Sequence, residues 1–441
     1  MARVHLGPIQ RALVVEDPNQ ELDPLLEELG VTVHRVVGTA PDEDELIALL
    51  QANRSQALFK RSRVPVSRRV VESCPDLFVV QLCCIGDDSV DKAACAEHGV
   101  LVFNDPISNG RSVVELVVAH LIALARRLYE TDTDCRAGLW EKSEKERYEI
   151  QGKTLGVLGL GNIGRATARV AEALGMKIRF FDTREVAVEV GREFGWAAAP
   201  NIADLFRNSD FITTHLSARD VNGKSNAGLI TRELLLQLGA ERPADSPRIF
   251  INLARGFLHS AEDLLHAIDV GAVRRAAVDV YPAEPRGKND PWANPYAAQP
   301  RVAVTPHIGA STQEAQPRIA RRVAQTFGAF SRWGSVRDCV YAPMVRMGLV
   351  EDGAAGGAVL IVAHAAARGT KRVITDAIYD SGADNLASTH KDFESLGLAV
   401  DLAVLDRPMT AEQIAAFIDE AGRVTGRADA IRSVRQVLLS R

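Results

Sequence analysis

The sequence predicts an α/β protein in which two parallel sheets precede a smaller α+β module. Short β-rich runs alternate with helical patterns over the first hundred residues, a second alternating series begins near residue 154, and the pattern changes after residue 345. Alternation of this kind is typical of parallel sheets covered by helices. With 441 residues, 46% of them hydrophobic, the chain is long enough for about three domains.

The charged residues comprise 52 basic and 57 acidic side chains, a formal balance of −5, and both signs are interspersed along the chain. This pattern gives no electrostatic reason to expect nucleic acid or a membrane as a partner. The N-terminus lacks an apolar segment with a cleavage site, and no apolar run approaches the ~20 residues that span a bilayer. The six cysteines show no C-x-x-C spacing, so we expect reduced thiols and a cytoplasmic location.

The first series predicts a parallel sheet with helices on its faces. Its strands are ALVV, VTVHRVV, ALFK, LFVVQLCC and VLVFND, and its helical patterns include LDPLLEELG and VDKAACAEHG. A long amphipathic helix, RSVVELVVAHLIALARRL, follows Asn109 and leads towards the second series.

The second series predicts another parallel sheet, with strands TLGVLGL, KIRFFD, FITTHL, RIFINLA, RRAAVDV and RVAVTP. The Gly/Ala-rich stretch GLVEDGAAGGAV then indicates a linker. Beyond it the order is strand AVLIVAHA, a helix, strands near LASTH and GLAVDLAVLD, a helix from Thr410, and strand AIRSVRQVLL. This βαββαβ order predicts a ferredoxin-like module.

A glycine-rich loop stands between the first strand and the first helix of the second series. Gly159, Gly161 and Gly164 have G-x-G-x-x-G spacing, and Asp182 ends the next strand about 20 residues on. Such a loop directs helix N-terminal amides at a diphosphate, and the acid can hold the adenosine ribose. An isolated glycine triplet could be a simple turn, but strand, helix, second strand and acid occur here in register. A 2′-phosphate would meet like charge at Asp182, so we predict NAD over NADP, although nearby Arg184 partly offsets that charge.

Three polar residues follow strands of the second series, and their chemistry suits oxidation of a 2-hydroxy acid. Arg255 offers a planar fork for a carboxylate, His307 can take the hydroxyl proton near neutral pH, and Glu284 can fix the tautomer of an imidazole. Taken singly, each could be a surface ion pair, a solvated acid or a packed histidine. Their shared position at strand ends, on the edge where open α/β sheets bind ligands, favours a catalytic set. No histidine or cysteine lies at close ligand spacing to His307, so we predict no metal.

The motifs FNDPISNGRSVVEL, LGLGNIG, NLARG, DVYPAEP and TPHIGASTQEAQ together resemble the D-isomer-specific 2-hydroxyacid dehydrogenases, over roughly residues 10 to 345. The resemblance implies that Arg255 orients the carboxylate and carbonyl of the substrate, that His307 is the acid/base, and that Glu284 pairs with it. It also implies a flavodoxin-like substrate domain in two parts, residues 1–108 and 310–347. A Rossmann NAD-binding domain, residues 109–309, would lie between those parts, and substrate would lie in the cleft.

We expect two sets of binding residues. The expected cofactor contacts are Gly159, Gly161, Asn162, Ile163, Gly164, Asp182, Ala254, Asp279 and Gly309. The expected substrate contacts are Arg61, Ser62, Arg63, Asn109, Lys142 and Gln316.

The substrate contacts indicate a phosphorylated acid. Arg61 and Arg63 alternate onto one face of an extended chain, where two cations could bind a phosphate. Trp140 and Lys142 resemble the branch of the family in which this lysine reaches the phosphate of a neighbouring subunit's substrate, which implies a homodimer or homotetramer. One alternative is an enzyme of an unphosphorylated acid such as hydroxypyruvate or glyoxylate. Another is a dinucleotide-sensing binding protein of the corepressor kind.

The C-terminal module, residues 348–441, resembles an ACT domain in topology. A typical ACT domain carries a Pro-Gly after its first strand, and the corresponding stretch here, HAAARGTK, lacks the proline. Asn385 could contact an effector, so amino-acid regulation and a purely oligomerising role both stay open.

Overall fold

The computed structural model describes residues 2–220, 224–285, 290–341, 346–348 and 357–439. The chain divides into two compact units, one formed by Met1–Ser108 with Gln316–Arg441 and the other by Asn109–Ala315. Residues 349–356 of the predicted linker lie outside the described residues.

The N-terminal part of the first unit alternates strands and helices. Its elements are β1 (Arg3–Leu6), β2 (Arg11–Val14), α1 (Leu22–Glu27), β3 (Thr32–Arg35), α2 (Glu43–Ala52), β4 (Ala57–Lys60), α3 (Arg68–Ser73), β5 (Val79–Leu82), α4 (Lys92–Glu97) and β6 (Leu101–Phe103).

Strands β2 to β6 form a parallel sheet in the order β3-β2-β4-β5-β6, as in flavodoxin-like folds. All five predicted strands are confirmed within a few residues. A helix from later in the chain joins this unit, because Phe327 packs edge-on against Phe59, and Phe330 contacts Phe103. Strand β1 was not predicted from the sequence, and it pairs with β17 of the C-terminal module instead of this sheet.

The second unit begins with two helices and continues with a doubly wound sheet. Its elements are α5 (Gly110–Arg126), α6 (Leu128–Arg136), β7 (Thr154–Leu158), α7 (Asn162–Ala173), β8 (Lys177–Phe181), α8 (Glu185–Glu193), β9 (Ala197–Ala198), α9 (Ile202–Arg207), β10 (Phe211–Thr214), α10 (Arg232–Leu236), β11 (Ile249–Asn252), α11 (Ala261–Asp269), β12 (Arg275–Val278) and β13 (Val302–Val304).

The seven strands lie in the order β13-β12-β11-β10-β7-β8-β9, and every pair is parallel. The strand order reverses at β7, so this is the Rossmann arrangement, whose ligand crevice lies at the carboxyl ends beside β7. The predicted long helix ends two residues early, because Arg127 adopts a left-handed backbone with φ +57° and separates α5 from α6. The two-residue strand β9 was not predicted.

The remaining elements belong to the first unit. They are α12 (Ala315–Trp333), β14 (Ala358–Ala365), α13 (Thr370–Asp380), β15 (Asn385–Phe393), β16 (Leu398–Leu405), α14 (Ala411–Thr425) and β17 (Ile431–Leu438). The predicted βαββαβ order is confirmed, with sheet order β1-β17-β14-β16-β15. The four C-terminal strands pair antiparallel with the ferredoxin-like order, while β1 adds a parallel edge strand.

Helices α13 and α14 cover one face of this sheet, and the other face joins the core around α12. The guanidinium of Arg435 stacks 4.3 Å from the ring centroid of Phe330 and donates to the carbonyl oxygen of Ser331 at 2.6 Å. Over the described residues, we find no helix that combines the length and apolarity needed to cross a membrane.

Candidate active site

The glycine loop lies between β7 and α7, at the switch point of the Rossmann sheet. The amide of Gly159 donates to the carbonyl oxygen of Phe181 at 2.9 Å, which ties the loop to β8. A Cβ on Gly164 would lie 2.1 Å from the carbonyl oxygen of Gly159, so only glycine lets α7 begin this close to the strand. Around Gly161 the added Cβ would meet only Arg184, at 3.8 Å, which leaves open space for a diphosphate. These residues fit the diphosphate of a dinucleotide at the N-terminus of α7.

Asp182 connects this loop to the end of β8. Its Oδ2 accepts from the amide of Leu160 at 2.7 Å, and its two oxygens accept from the backbone and guanidinium of Arg184 at 2.8 to 3.0 Å. Burial by itself raises the pKa of the Asp182 carboxyl, but these hydrogen bonds outweigh burial and hold that pKa below its usual value. Asp182 is therefore an ionised acceptor at the position predicted for the adenosine ribose, with a cation beside it.

Replacing Asp182 with Ala is expected to lower the NAD/NADP ratio of kcat/KM by about 10 to 100-fold, since hydrogen bonds to a charged group contribute ~1.5–3 kcal/mol. The variant removes the repulsion of a 2′-phosphate and releases the guanidinium of Arg184. Steady-state kinetics with both cofactors measure the ratio. Glu189→Ala on α8 removes the same charge from an exposed site and should leave the ratio unchanged. An unaltered ratio in Asp182→Ala would contradict the ribose assignment.

The backbone around Arg255 is fixed from two sides. Buried Asn252, at the end of β11, accepts from the amide of Ala254 at 3.1 Å and donates to the carbonyl oxygen of Arg255 at 2.9 Å. A Cβ on Gly256 would lie 2.0 Å from the carbonyl carbon of Tyr281, so this turn packs directly on the loop after β12. The half-buried Arg255 side chain donates to the carbonyl oxygen of Ala254 at 2.9 Å. Sequence reasoning missed Asn252 and Gly256, although an asparagine ending a buried apolar strand is a usable signal.

Glu284 and His307 form a pair. Nδ1 of His307 lies 2.8 Å and 3.0 Å from the two carboxylate oxygens of Glu284, and Glu284 also accepts from the amide of Tyr281 at 3.2 Å. A carboxylate can only accept, so Nδ1 carries the hydrogen and Nε2 is left to exchange a proton. The His307 side chain is 47% exposed, which lets a substrate reach it.

The loop that carries His307 is held by Asp279, which is 1% exposed at the end of β12. One carboxylate oxygen accepts from the hydroxyl of Thr305 at 2.6 Å and from the amide of Ile308 at 2.8 Å. The other accepts from the amide of Gly309 at 2.9 Å. These bonds hold His307 in a left-handed backbone conformation with φ +55°, a state uncommon for residues other than glycine, among which asparagine, aspartate and histidine adopt it most often. Asp279 and Gly309 were predicted as cofactor contacts, and in the structure they position this loop.

Two other histidines of this unit, His215 and His259, have strongly lowered pKa values. Burial lowers the pKa of His215 to about 3 and that of His259 to about 4, so both rings stay neutral near pH 7. His215 contacts the hydroxyl of Thr213 at 3.1 Å, and His259 packs edge-on against Phe250. Neither ring suits proton exchange with a substrate, whereas the His307 side chain is exposed to solvent.

The predicted phosphate residues follow β4 in the first unit. Arg61 is half-buried, and Ser62 and Arg63 are exposed. The buried carboxylate of Glu16 accepts from the amide of Arg63 at 2.5 Å and lies 3.9 Å from its guanidinium, so that charge is partly neutralised. In the part of the chain that the structure describes, the Arg61 guanidinium makes no hydrogen bond or ion pair. Arg61 is therefore the better phosphate ligand of the two.

The other predicted contacts are spread over both units. Asn109 begins α5 with its amide oxygen buried and without a partner among the described residues. Asn162 and Ile163 form the first turn of α7, and Lys142 is exposed in an irregular segment. Gln316 is half-buried near the start of α12.

The glycine loop, the acid at the end of β8 and the Glu284–His307 pair belong to one Rossmann unit, together with Arg255. A dinucleotide loop and an exposed proton carrier in the same unit support hydride transfer to or from a nicotinamide. The fold and the site define a NAD-dependent dehydrogenase.

Comparison with known proteins gives the family. The sequence profile of the D-isomer specific 2-hydroxyacid dehydrogenase NAD binding domain matches residues 118–309. D-3-phosphoglycerate dehydrogenase of Haemophilus influenzae is 34% identical over 287 residues, covering 65% of this chain and 67% of that protein. The Escherichia coli K12 protein of the same name is 32% identical over 354 residues, covering 79% of this chain and 82% of that protein. The chain belongs to the D-isomer-specific 2-hydroxyacid dehydrogenase family, which confirms the resemblance seen in the sequence.

A solved structure supports the same fold. A glyoxylate reductase from Paecilomyes thermophila superposes with a TM-score of 0.63 at 24% identity, covering 76% of this chain and 98% of that one. At this identity the likeness bears on the fold alone. The predicted fold class and the predicted cofactor, NAD, are confirmed.

Proposed function

We propose that the chain interconverts D-3-phosphoglycerate and 3-phosphohydroxypyruvate with NAD, the first step of L-serine biosynthesis. The main support for a phosphorylated substrate is the Arg61 side chain. Its guanidinium is half-buried, lies directly after β4 and has no partner among the described residues. Arginine is well suited to phosphate because its planar fork donates to two oxygens at once. Two relatives named D-3-phosphoglycerate dehydrogenase, at 32% and 34% identity, support the same substrate.

The mechanism assigns one task to each of three side chains. Arg255 holds the substrate carboxylate and thereby orients C2 for the reaction. As the C2–H bond breaks, Nε2 of His307 takes the proton of the 2-hydroxyl group, and the carbonyl double bond forms. Glu284 keeps Nδ1 protonated and stabilises the imidazolium that results. When bound, NAD supplies the acceptor for the hydride, so the products are the 2-oxo acid, NADH and a protonated His307.

The proposal also assigns the parts of the chain. Residues 1–108 and 310–347 bind the substrate, residues 109–309 bind NAD, and residues 348–441 form a regulatory or oligomerising module. A homodimer or homotetramer in the cytoplasm belongs to the same proposal, with exposed Lys142 reaching the phosphate in a neighbouring subunit.

The test is NADH oxidation with 3-phosphohydroxypyruvate beside hydroxypyruvate, glyoxylate, pyruvate and 2-oxoglutarate. A kcat/KM at least about 100-fold higher for the phosphorylated acid is expected, because a charge-assisted contact contributes ~1.5–3 kcal/mol and two or more would act together. Comparable kcat/KM values for hydroxypyruvate or glyoxylate would support the alternative, a reductase of a small unphosphorylated acid. The absence of turnover with every acid, despite NADH binding, would point to a dinucleotide-sensing protein.

Replacing Arg61 with Ala is expected to raise KM for 3-phosphohydroxypyruvate by about 10 to 100-fold, the effect of losing ~1.5–3 kcal/mol from a charge-assisted contact. KM for hydroxypyruvate should change less than about twofold, because that acid has no phosphate. Arg372→Ala, which removes an 85% exposed arginine from α13, is the control for net charge. Equal changes in KM for both acids in Arg61→Ala would remove the phosphate assignment.

A further inference from the structure

The C-terminal module carries a His–Asp–His cluster, defined as His364, Asp401 and His390, on three neighbouring strands. His390 on β15 lies directly opposite Asp401 on β16, and His364 on β14 lies opposite Ala399, two residues before Asp401. Because side chains alternate along a strand, all three point to the same face of the sheet. It is the face that α13 and α14 cover, since Val362, opposite Asp401, belongs to that core.

The three side chains converge closely. Nε2 of His364 lies 2.7 Å from Oδ2 of Asp401, and Nδ1 of His390 lies 3.0 Å from Oδ1. One ligand atom from each of the three residues can be chosen so that all lie within 4.8 Å of one another. His364 is 2% exposed and Asp401 is 8% exposed, whereas the His390 side chain is 22% exposed and gives access from solvent.

In each ring one nitrogen, here called inner, faces Asp401, and the other, called outer, faces a different oxygen acceptor. Nδ1 of His364 lies 2.7 Å from the carbonyl oxygen of Ala365, and Nε2 of His390 lies 3.2 Å from Oδ1 of Asp392. A carbonyl or carboxylate oxygen accepts only, so the outer nitrogen of each ring carries the hydrogen. In a neutral ring, the inner nitrogen then directs its lone pair at a carboxylate oxygen, which is repulsive unless a cation lies between them. Histidines that bind metals make this same arrangement, with the second nitrogen donating to a carbonyl or carboxylate.

We propose that the His–Asp–His cluster binds a divalent transition-metal ion of the zinc class through Nε2 of His364, Nδ1 of His390 and the Asp401 carboxylate. Two imidazoles and one carboxylate are a ligand set that such ions accept, and a fourth position stays open for water or a small ligand. Ligand atoms around a tetrahedral ion at about 2.1 Å lie about 3.4 Å apart. The histidine nitrogens lie 2.7 Å and 3.0 Å from the Asp401 oxygens, so side-chain shifts of less than about 1 Å would make room for the ion. The site is separate from the dehydrogenase chemistry, and the proposal does not depend on the substrate.

Sequence spacing conceals this site. Asp401 lies 37 residues from His364 and 11 residues from His390, and short ligand spacings are the usual signature of zinc sites. The cysteines and the neighbours of His307 in the sequence give no sign of this cluster, so a metal was not predicted. The antiparallel register of β14, β16 and β15 brings the ligands together.

The experiment uses the full chain, stripped of metal with a chelator and titrated with Co²⁺ and Zn²⁺ at about pH 7.5, where imidazoles are largely neutral. We expect one ion per chain by equilibrium dialysis, a Co²⁺ visible absorption band of a low-symmetry site, and a higher thermal midpoint with metal. His390→Asn, at the partly exposed ligand, should weaken Co²⁺ binding by at least about 100-fold, since even outer contacts contribute 10 to 100-fold. His266→Asn, at an exposed histidine of α11, is the matched control and should bind as the wild type.

A second variant, Asp392→Asn, keeps all three ligands and removes the carboxylate behind His390. The Asp392 side chain is 50% exposed, so the change is tolerable for folding. Metal affinity should fall by about 10-fold, while NADH binding, which reports folding of the Rossmann unit, stays unchanged. No stoichiometric Co²⁺ in the wild type would overturn the proposal. Equal affinity in the wild type and in both variants would also overturn it, because the bound ion would then lie elsewhere.

Discussion

Replacing His307 with Asn is expected to lower kcat by about 10³-fold in both directions, within the 10² to 10⁴-fold range of a lost general acid–base group. The dissociation constant for NADH should stay within about twofold, because the glycine loop and Asp182 are untouched. The ring is the part of the pair that can exchange a proton at an exposed nitrogen, and asparagine has no group that does so near neutral pH.

Asparagine is a better test than alanine because it tolerates the left-handed backbone at position 307. His307 has φ +55°, and the left-handed region costs ordinary residues ~1 kcal/mol, with asparagine among the exceptions. Asparagine therefore keeps the loop that Asp279 holds, whereas His307→Ala combines the chemical loss with backbone strain. Comparing the two variants separates proton transfer from loop position, because a loop effect alone would make alanine much worse than asparagine.

Glu284→Gln is the graded companion to this test. The amide oxygen of glutamine can still accept from Nδ1 of His307 but gives no charge to stabilise the imidazolium, so a smaller loss of about 10 to 100-fold is expected. His34→Asn, at an exposed histidine of β3, is the matched control for His307→Asn and should leave kcat unchanged. A kcat within tenfold of the wild type in His307→Asn would rule His307 out as the proton carrier.

The alternation of strands and helices predicted most of the fold because buried parallel strands read as short apolar runs. ALFK is β4 without a shift, and AVLIVAHA is β14. The edge strand β1 escaped detection, since RVHL alternates exposed and buried positions and its partner β17 lies at the other end of the sequence. Pairing between such distant segments depends on tertiary packing, which local pattern does not encode.

The catalytic residues were predicted from sequence motifs, whereas the residues that hold their loops in place became visible only in the structure. Glu284 and His307 could be paired from their types and strand-end positions. Asn252 and Asp279 act through backbone amides in loops whose shape is not readable from spacing. The Glu16 contact with Arg63 spans 47 residues and joins the ends of two neighbouring strands, so only the sheet order reveals it.

The second large effect is expected at Arg255. Replacing it with Ala should lower kcat/KM for the 2-oxo acid by about 10² to 10⁴-fold, because a bidentate clamp on a carboxylate makes two charge-assisted hydrogen bonds of ~1.5–3 kcal/mol each. NADH binding should persist, since the contacts of Asn252 to this turn involve the backbone of Ala254 and Arg255 and survive the substitution.

Arg255→Lys distinguishes geometry from charge. Lysine keeps the positive charge but offers a point donor instead of a planar fork, so it should recover less than about a tenth of wild-type kcat/KM if the clamp orients the substrate. The loss should appear in kcat as well as in KM, because a carboxylate held by one donor can rotate C2 away from the nicotinamide and from Nε2 of His307. Arg232→Lys, at a surface arginine of the same unit paired with Asp263, is the matched control. Near wild-type kinetics in Arg255→Lys would mean that charge alone suffices, and a loss below tenfold in Arg255→Ala would mean that another cation holds the carboxylate.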